Sequence, residues 1–146
     1  MMFSLLKFCL MKYFLAKTEP GVYSIDDLKR DGETDWNGVK NPQALIFLKA
    51  MKPGDRVFIY HSGGEKAITG LAEVVGQPQP DPKIAKSWMV RIKFLQKFDE
   101  PVTLRDIKEV GKFEDFRLVY QGRLSTMDVP EKFIQWLQKS KGLGLK

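Results

Sequence analysis

The 146-residue sequence predicts an α+β fold, a compact mixed sheet or barrel with short helices set against it, rather than a doubly wound parallel sheet. Three observations carry this expectation. Apolar segments of strand character are joined by short Gly- and Pro-marked turns as well as by helices, most plainly over 56–75. Residues 87–97 alternate apolar and polar side chains with the period of two of a half-buried strand. The helical patterns are brief, and each is bracketed by its own start and stop residues. One domain accounts for the length, since a chain of this size buries roughly 68–70 % of its unfolded surface.

In chain order, residues 1–10 (MMFSLLKFCL) precede a second start-like Met11. They lack both a basic region ahead of their apolar run and a small-x-small cleavage site, so they read as a dispensable extension and not as a secretion signal. The domain is expected over 11–140, with 141–146 a flexible tail. Residues 12–17 (KYFLAK) form an unbroken apolar and aromatic run that Glu19-Pro20-Gly21 ends, a buried strand followed by a turn. Ser24 with Asp27 three residues on starts a helix, and Gly32 stops it. Residues 35–41 read as a loop, after which Pro42 opens a helix carrying Ala44, Leu45, Phe47, Leu48 and Met51 on one face.

Beyond the Pro53-Gly54-Asp55 turn, RVFIYHS, Gly63-Gly64 and AITGLAEVV spell a hairpin within a β-meander. The prolines of 77–82 deny that stretch to helix and to central strand, leaving an exposed loop. In 87–97, Trp88, Val90, Ile92 and Phe94 share one face of a strand, and Arg91, Lys93 and Lys97 the other. Thr103 with Asp106 caps a brief helix, 120–125 form a loop, and Pro130 opens a last helix with Phe133, Ile134, Trp136 and Leu137 inward until Gly142.

Composition excludes much of chemistry. No run of about 18 apolar residues exists to span a membrane. With Cys9 and His61 the only cysteine and histidine, there is no disulfide, no Cys/His zinc site and no metal-ligand spacing, and a reducing cytoplasm is the expected compartment. His61 and Ser62 are neighbours on a strand and so point to opposite faces, which makes a catalytic dyad awkward and a structural hydrogen bond the better reading of the histidine. The adjacent carboxylates Asp26-Asp27, Asp99-Glu100 and Glu114-Asp115 fit caps and turns. Gly63-Gly64-Glu65-Lys66 lacks the spacing of a phosphate loop. No catalytic constellation and no cofactor emerges.

A net charge of +6, from 24 Lys plus Arg against 18 Asp plus Glu, favours polyanionic partners. Lys83, Lys86, Arg91, Lys93 and Lys97 occur with no acidic residue between 83 and 97, which fits either a solvated strand face or a track for phosphates. Trp36, placed in a loop, is free to stack on a base or to plug the end of the sheet. Asn41 serves equally as the N-cap of the helix begun by Pro42 or as a reader of a base edge. Trp88 lies on the apolar side of its strand, where packing is its default role, and Trp136 belongs to the core.

Lys17-Thr18-Glu19-Pro20, then Trp36-Asn37-Gly38-Val39-Lys40-Asn41-Pro42-Gln43-Ala44, then Tyr60-His61-Ser62, then Gln121-Gly122-Arg123-Leu124-Ser125 resemble, in order, the motifs of the EVE domain family, including the bacterial relatives of thymocyte nuclear protein. The resemblance runs from Met11 to about Leu137. It implies a PUA-like mixed β pseudobarrel flanked by short helices, akin to PUA and YTH domains, whose cavity receives a flipped or unpaired base of DNA or RNA, with a modified base expected. Carried over by position, it implies a base pocket drawn from Lys17, Thr18, Trp36, Asn41, Tyr60, Ser62, Leu124 and Ser125, with Trp88 a further wall.

In that pocket Trp36 would stack, Asn41 and Thr18 would read the base edge, and Lys17 with Arg123 would meet phosphate or base oxygens. Lys86, Arg91 and Lys93 would lie along the backbone. The chain departs from the family pattern at Thr18, usually Ser, at Pro42, usually aromatic, and at Leu45, usually Arg. The function expected is a non-catalytic, monomeric module that binds a modified nucleobase of DNA or RNA. An enzyme acting on a nucleotide or modified nucleobase and a plain protein-interaction domain are the alternatives.

Overall fold

The computed structural model describes residues 11–146, so the reading of 1–10 as an extension lies outside the described residues. In chain order the elements are β1 (Tyr13–Thr18), α1 (Ile25–Asp31), β2 (Glu33–Trp36), α2 (Pro42–Ala50), β3 (Arg56–His61), β4 (Ala67–Val74), β5 (Gln79–Pro80), β6 (Trp88–Thr103), α3 (Leu104–Val110), α4 (Arg117–Tyr120), β7 (Thr126–Asp128) and α5 (Glu131–Lys139). The strands form one mixed sheet in the order β2-β6-β4-β3-β1-β7, with β5 paired to β6 beside this path. No pairing joins β2 to β7 among the described residues, so the sheet is open. The fold class is α+β, as the sequence predicts.

Local chemistry sets the helix ends. Ser24 Oγ accepts from the Asp27 N–H at 3.1 Å while Asp27 Oδ2 accepts from the Ser24 N–H at 2.9 Å, a reciprocal capping box, and Gly32 leaves α1 with φ +79°. Asn41 Oδ1 accepts from the N–H groups of Gln43 (2.9 Å) and Ala44 (3.1 Å), satisfying two of the donors that α2 would otherwise leave free.

Part of the core gathers where α5 packs on β3. Phe133 of α5 is fully buried and stands edge-on to Phe58 of β3 (6.3 Å, 82°) and to Phe113 (5.3 Å, 82°). Such pairs are worth about 0.5–1.5 kcal/mol beyond their burial. On the other side Gly70 of β4 admits α1 closely: a Cβ there would lie 2.5 Å from the Gln96 carbonyl oxygen and 2.6 Å from Ile25 Cδ1.

Several features differ from expectation. Strand β6 is 16 residues long and passes through Pro101, because its register with β4 jumps between Gly70↔Lys97 and Ile68↔Val102 and leaves Asp99, Glu100 and Pro101 outside the ladder. Trp36 ends a strand instead of lying in a loop. Gln79–Pro80 form a two-residue edge strand inside the expected loop, a place that tolerates proline. The four-residue α4 and three-residue β7 are too short to display a period. Residues 141–146 make contacts with the sheet: Gln96 Nε2 donates to the Gly144 carbonyl (2.8 Å), Gln96 Oε1 accepts from the Lys146 N–H (3.2 Å), and Leu143 and Leu145 pack on the core.

Candidate functional site

Strands β1 and β3 run parallel, with Lys17 opposite Tyr60 and Thr18 opposite His61, so both chains leave the sheet side by side. The Ser62 N–H donates to the Thr18 carbonyl at 2.9 Å, and Ser62 Oγ donates to the same oxygen at 3.3 Å. Thr18 Oγ1 donates to the Tyr23 carbonyl at 2.7 Å, closing the turn whose Val22 and Tyr23 N–H groups both donate to Glu19. Tyr23 then meets Trp36 edge-on at 6.3 Å and 80°. The hydroxyls of Thr18 and Ser62 are thus engaged in holding the loops.

Lys17 is different. Its ammonium donates to the Gly122 carbonyl at 2.7 Å and lies 5.4 Å from the centroid of the Tyr60 ring, while its backbone N–H donates to Ser125 O at 2.8 Å. Burial lowers its pKa from the ordinary lysine value, and no carboxylate offsets that effect. An ammonium has three donors, so two N–H bonds of a half-buried cation stay free of protein partners among the described residues. Burial also raises the pKa of the Tyr60 phenol.

Beside Lys17 opens a cleft of about 320 Å³ lined by Asn41, Gln43, Tyr120, Gln121, Gly122, Arg123 and Leu124. Gln43 and Gln121 span it with reciprocal amide hydrogen bonds of 3.3 and 3.0 Å. Since Asn41 Oδ1 is committed to its cap, its amide N–H groups are what it offers the cleft. Trp36, Tyr60 and Leu124 are buried below this end of the sheet, at 9 %, 3 % and 4 % exposure. The site residues expected from sequence therefore divide into a cleft group (Asn41, Arg123, Leu124, with Lys17 joined through Gly122) and a supporting group (Thr18, Trp36, Tyr60, Ser62 and the Ser125 backbone).

Trp88 stands apart from both groups. Lys49 Nζ lies 4.8 Å from its ring, near the end of α2 opposite Asn41. Its neighbour Ser87 reaches the site more directly, since Ser87 Oγ donates to Val39 O at 2.6 Å and anchors the loop before Asn41.

The basic run over 83–97 is not an unpaired surface. Arg91 lies 3.2 Å from Glu33 and 3.4 Å from Asp35, and Lys97 lies 2.7 Å from Asp26, all carboxylates that β2 and α1 bring alongside β6. Lys93 is exposed and lies opposite Glu33 and Glu73 in register, and Lys86 occupies a left-handed turn at φ +65°. Arg123, by contrast, has no carboxylate within salt-bridge distance among the described residues.

His61 is 5 % exposed. Its Nε2 accepts from the Ile25 N–H at 3.0 Å, which places the proton on Nδ1, where it donates to Glu65 Oε2 at 2.9 Å. Both ring nitrogens are spent on structure, and Ser62 faces Thr18 instead. No group of His, Cys, Asp and Glu among the described residues could hold a metal ion. None of their helices is long and apolar enough to cross a membrane. A cavity of about 620 Å³ opens between the 64–66 turn and the start of α3 and is lined by none of the expected residues.

Gln43, Tyr120 and Gln121 line the cleft without being among the residues expected there. The two glutamines stood inside the quoted motifs and Tyr120 directly before the last one, so proximity to the motifs was the usable signal.

The family model of the EVE domain matches residues 12–140. The chain belongs to the EVE domain family. Among solved structures, this EVE domain is similar to a protein of Rhodopseudomonas palustris (36 % identity, TM-score 0.83, covering 90 % of this chain and 94 % of that one). It is similar also to human thymocyte nuclear protein 1 solved in complex with 5-methylcytosine-containing DNA (26 % identity, TM-score 0.79, covering 91 % and 99 %). Against the full-length human thymocyte nuclear protein 1, 84 residues align at 43 % identity, 49 % of this chain and 37 % of the human protein. The EVE domain thus spans little more than a third of that relative's length.

Proposed function

We propose that this EVE domain binds nucleic acid by receiving a modified nucleobase, extruded from its stack, in the cleft between the start of α2 and residues 121–124, and that it does so without catalysis. The observation that carries the reading is the Lys17 ammonium, part-buried beside the cleft, with free donors and no counter-charge among the described residues. Protein interiors hold such a cation at a cost, which an incoming phosphate or base oxygen offsets. A cleft of about 320 Å³ is at the lower end of small-ligand sites and suits one flat base.

In this reading the Asn41 amide and the Gln43–Gln121 pair face the base edge, Arg123 meets the backbone, and Trp36 and Tyr60 support this end of the sheet from within the core. Extruding a base costs a few kcal/mol, which these contacts must recover. The human relative in complex with 5-methylcytosine DNA supports the choice of ligand class. The commitment of both His61 nitrogens argues against that residue as the base of an enzyme.

The test is a titration of labelled duplexes that carry one 5-methylcytosine or plain cytosine, at two salt concentrations. Tighter binding of the modified duplex is expected, with the ratio between the two duplexes unchanged by salt while both affinities fall. Equal affinity for the two duplexes would remove the base-reading claim, and no binding of either would remove nucleic acid altogether.

A further inference from the structure

Tyr120 is the one aromatic side chain among the described residues that the fold leaves mainly in solvent, at 54 % exposure, and it stands on the rim of the cleft. It is held in place from one side. Arg117 Nη1 donates to the Tyr120 hydroxyl at 3.0 Å and to Gln121 Oε1 at 3.0 Å. Arg117 Nε donates to Asp128 at 3.3 Å, and the guanidinium carbon lies 5.1 Å from the Phe47 ring. The phenol is thus tethered at its hydroxyl and at its backbone, and Arg117 is itself pinned from α2 and β7. Three residues on, Arg123 lines the same cleft without a carboxylate partner among the described residues.

A pre-oriented aromatic beside a free guanidinium is the pairing that single-stranded nucleic acid requires, one stacking surface and one cation for the backbone. When a base is extruded, its neighbour loses a stacking partner. We infer that Tyr120 is the stacking platform for the nucleotide adjacent to the bound base, with Arg123 on the intervening phosphate; this rests on the reading of the cleft given above. Because every base has a π-face, the platform contributes affinity without selecting the neighbouring sequence.

The test uses single-stranded DNA with one 5-methylcytosine flanked either by ordinary nucleotides or by abasic sites, with wild type, Tyr120→Ala and Tyr120→Phe. On ordinary flanks Tyr120→Ala is expected to bind on the order of 5- to 150-fold more weakly than wild type, and Tyr120→Phe to recover most of that loss. Abasic flanks should bring wild type down to the level of Tyr120→Ala and leave the alanine variant unmoved. Since the side chain is exposed, an unchanged thermal transition accompanies the expected result.

Tyr120→Ala binding as tightly as wild type, or losing as much as wild type on abasic flanks, would overturn the platform. Absence of any binding would overturn it together with the cleft reading. A wild type that is sensitive to its flanks but indifferent to 5-methylcytosine would refute the base reading and leave the platform standing.

Discussion

Replacing Lys17 by methionine separates a ligand-directed charge from a structural one. The variant keeps an unbranched stem against Tyr60 but removes the ammonium that donates to Gly122 at 2.7 Å. That hydrogen bond contributes about 0.5–1.5 kcal/mol and the ring contact a similar amount, while removal of a half-buried, unpaired charge returns part of its desolvation cost. The opposing effects are expected to leave Lys17→Met within about 1 kcal/mol of wild type, a shift of roughly 2–4 °C in Tm for a chain of this size. Binding should respond far more: a charge-assisted hydrogen bond to a ligand oxygen is worth about 1.5–3 kcal/mol, so the modified duplex is expected to bind about 10- to 150-fold more weakly.

The pH dependence gives an independent check whose sign is fixed by the lowered pKa of Lys17. At neutral pH both folded and unfolded chains carry the proton, and the cost of burying the ammonium is fully present. As pH rises through the lowered folded-state pKa toward the ordinary lysine value of 10.5, the folded state releases its proton first and the unfolded state binds more protons. Wild type should therefore gain stability relative to Lys17→Met over that alkaline window in urea titrations. A variant that loses several kcal/mol of stability, or that binds modified DNA like wild type, would refute the assignment of this charge to a ligand.

Three further substitutions test the residues around the cleft. His61→Ala leaves the buried Ile25 N–H without its acceptor, so denaturant unfolding should report a loss of about 1–3 kcal/mol while affinity for modified DNA stays the same; lost binding at unchanged stability would place His61 at the ligand. Arg123→Ala should reduce the slope of log affinity against log salt by about 1, and Arg91→Ala, whose guanidinium already faces Glu33 and Asp35, should leave it unchanged. The opposite ordering would return the backbone track to residues 83–97.

What the sequence disclosed and what it hid divide along physical lines. The helix caps at Ser24, Asn41 and Thr103, the proline that opens α2 and the alternation of β6 are local, so a few adjacent residues determine them and they were readable. The strand ending at Trp36 was hidden because four residues show no period, and its identity as a strand depends on pairing with Val90, 54 positions further along the chain. The pairing of Arg91 and Lys97 was hidden for the same reason, since an acid-free stretch of sequence says nothing about carboxylates on the strand and helix packed beside it. Asn41 allowed both a cap and a ligand role, and the geometry assigns its oxygen to the first while leaving its N–H groups for the second. Tyr120 is legible as a rim residue only once α4 turns it outward.

The position of the cleft follows from one topological fact. Antiparallel neighbours place the end of one strand beside the start of the next, whereas β1 and β3, the only parallel pair among the described residues, release two loops at the same edge. Parallel pairing also demands a long crossover. Here that crossover contains α1, β2 and α2, and it delivers Trp36 and Asn41 to the edge where Lys17 ends. The departures from the family pattern then acquire distinct meanings. Thr18 keeps the hydroxyl that bonds Tyr23, so exchanging serine for threonine preserves the turn. Leu45, buried at 9 % exposure, packs where the pattern has an arginine, and Pro42 sits where it has an aromatic. With that cation and that ring absent, the proposed charge and stacking contacts at this mouth rest on Lys17, Arg123 and Tyr120.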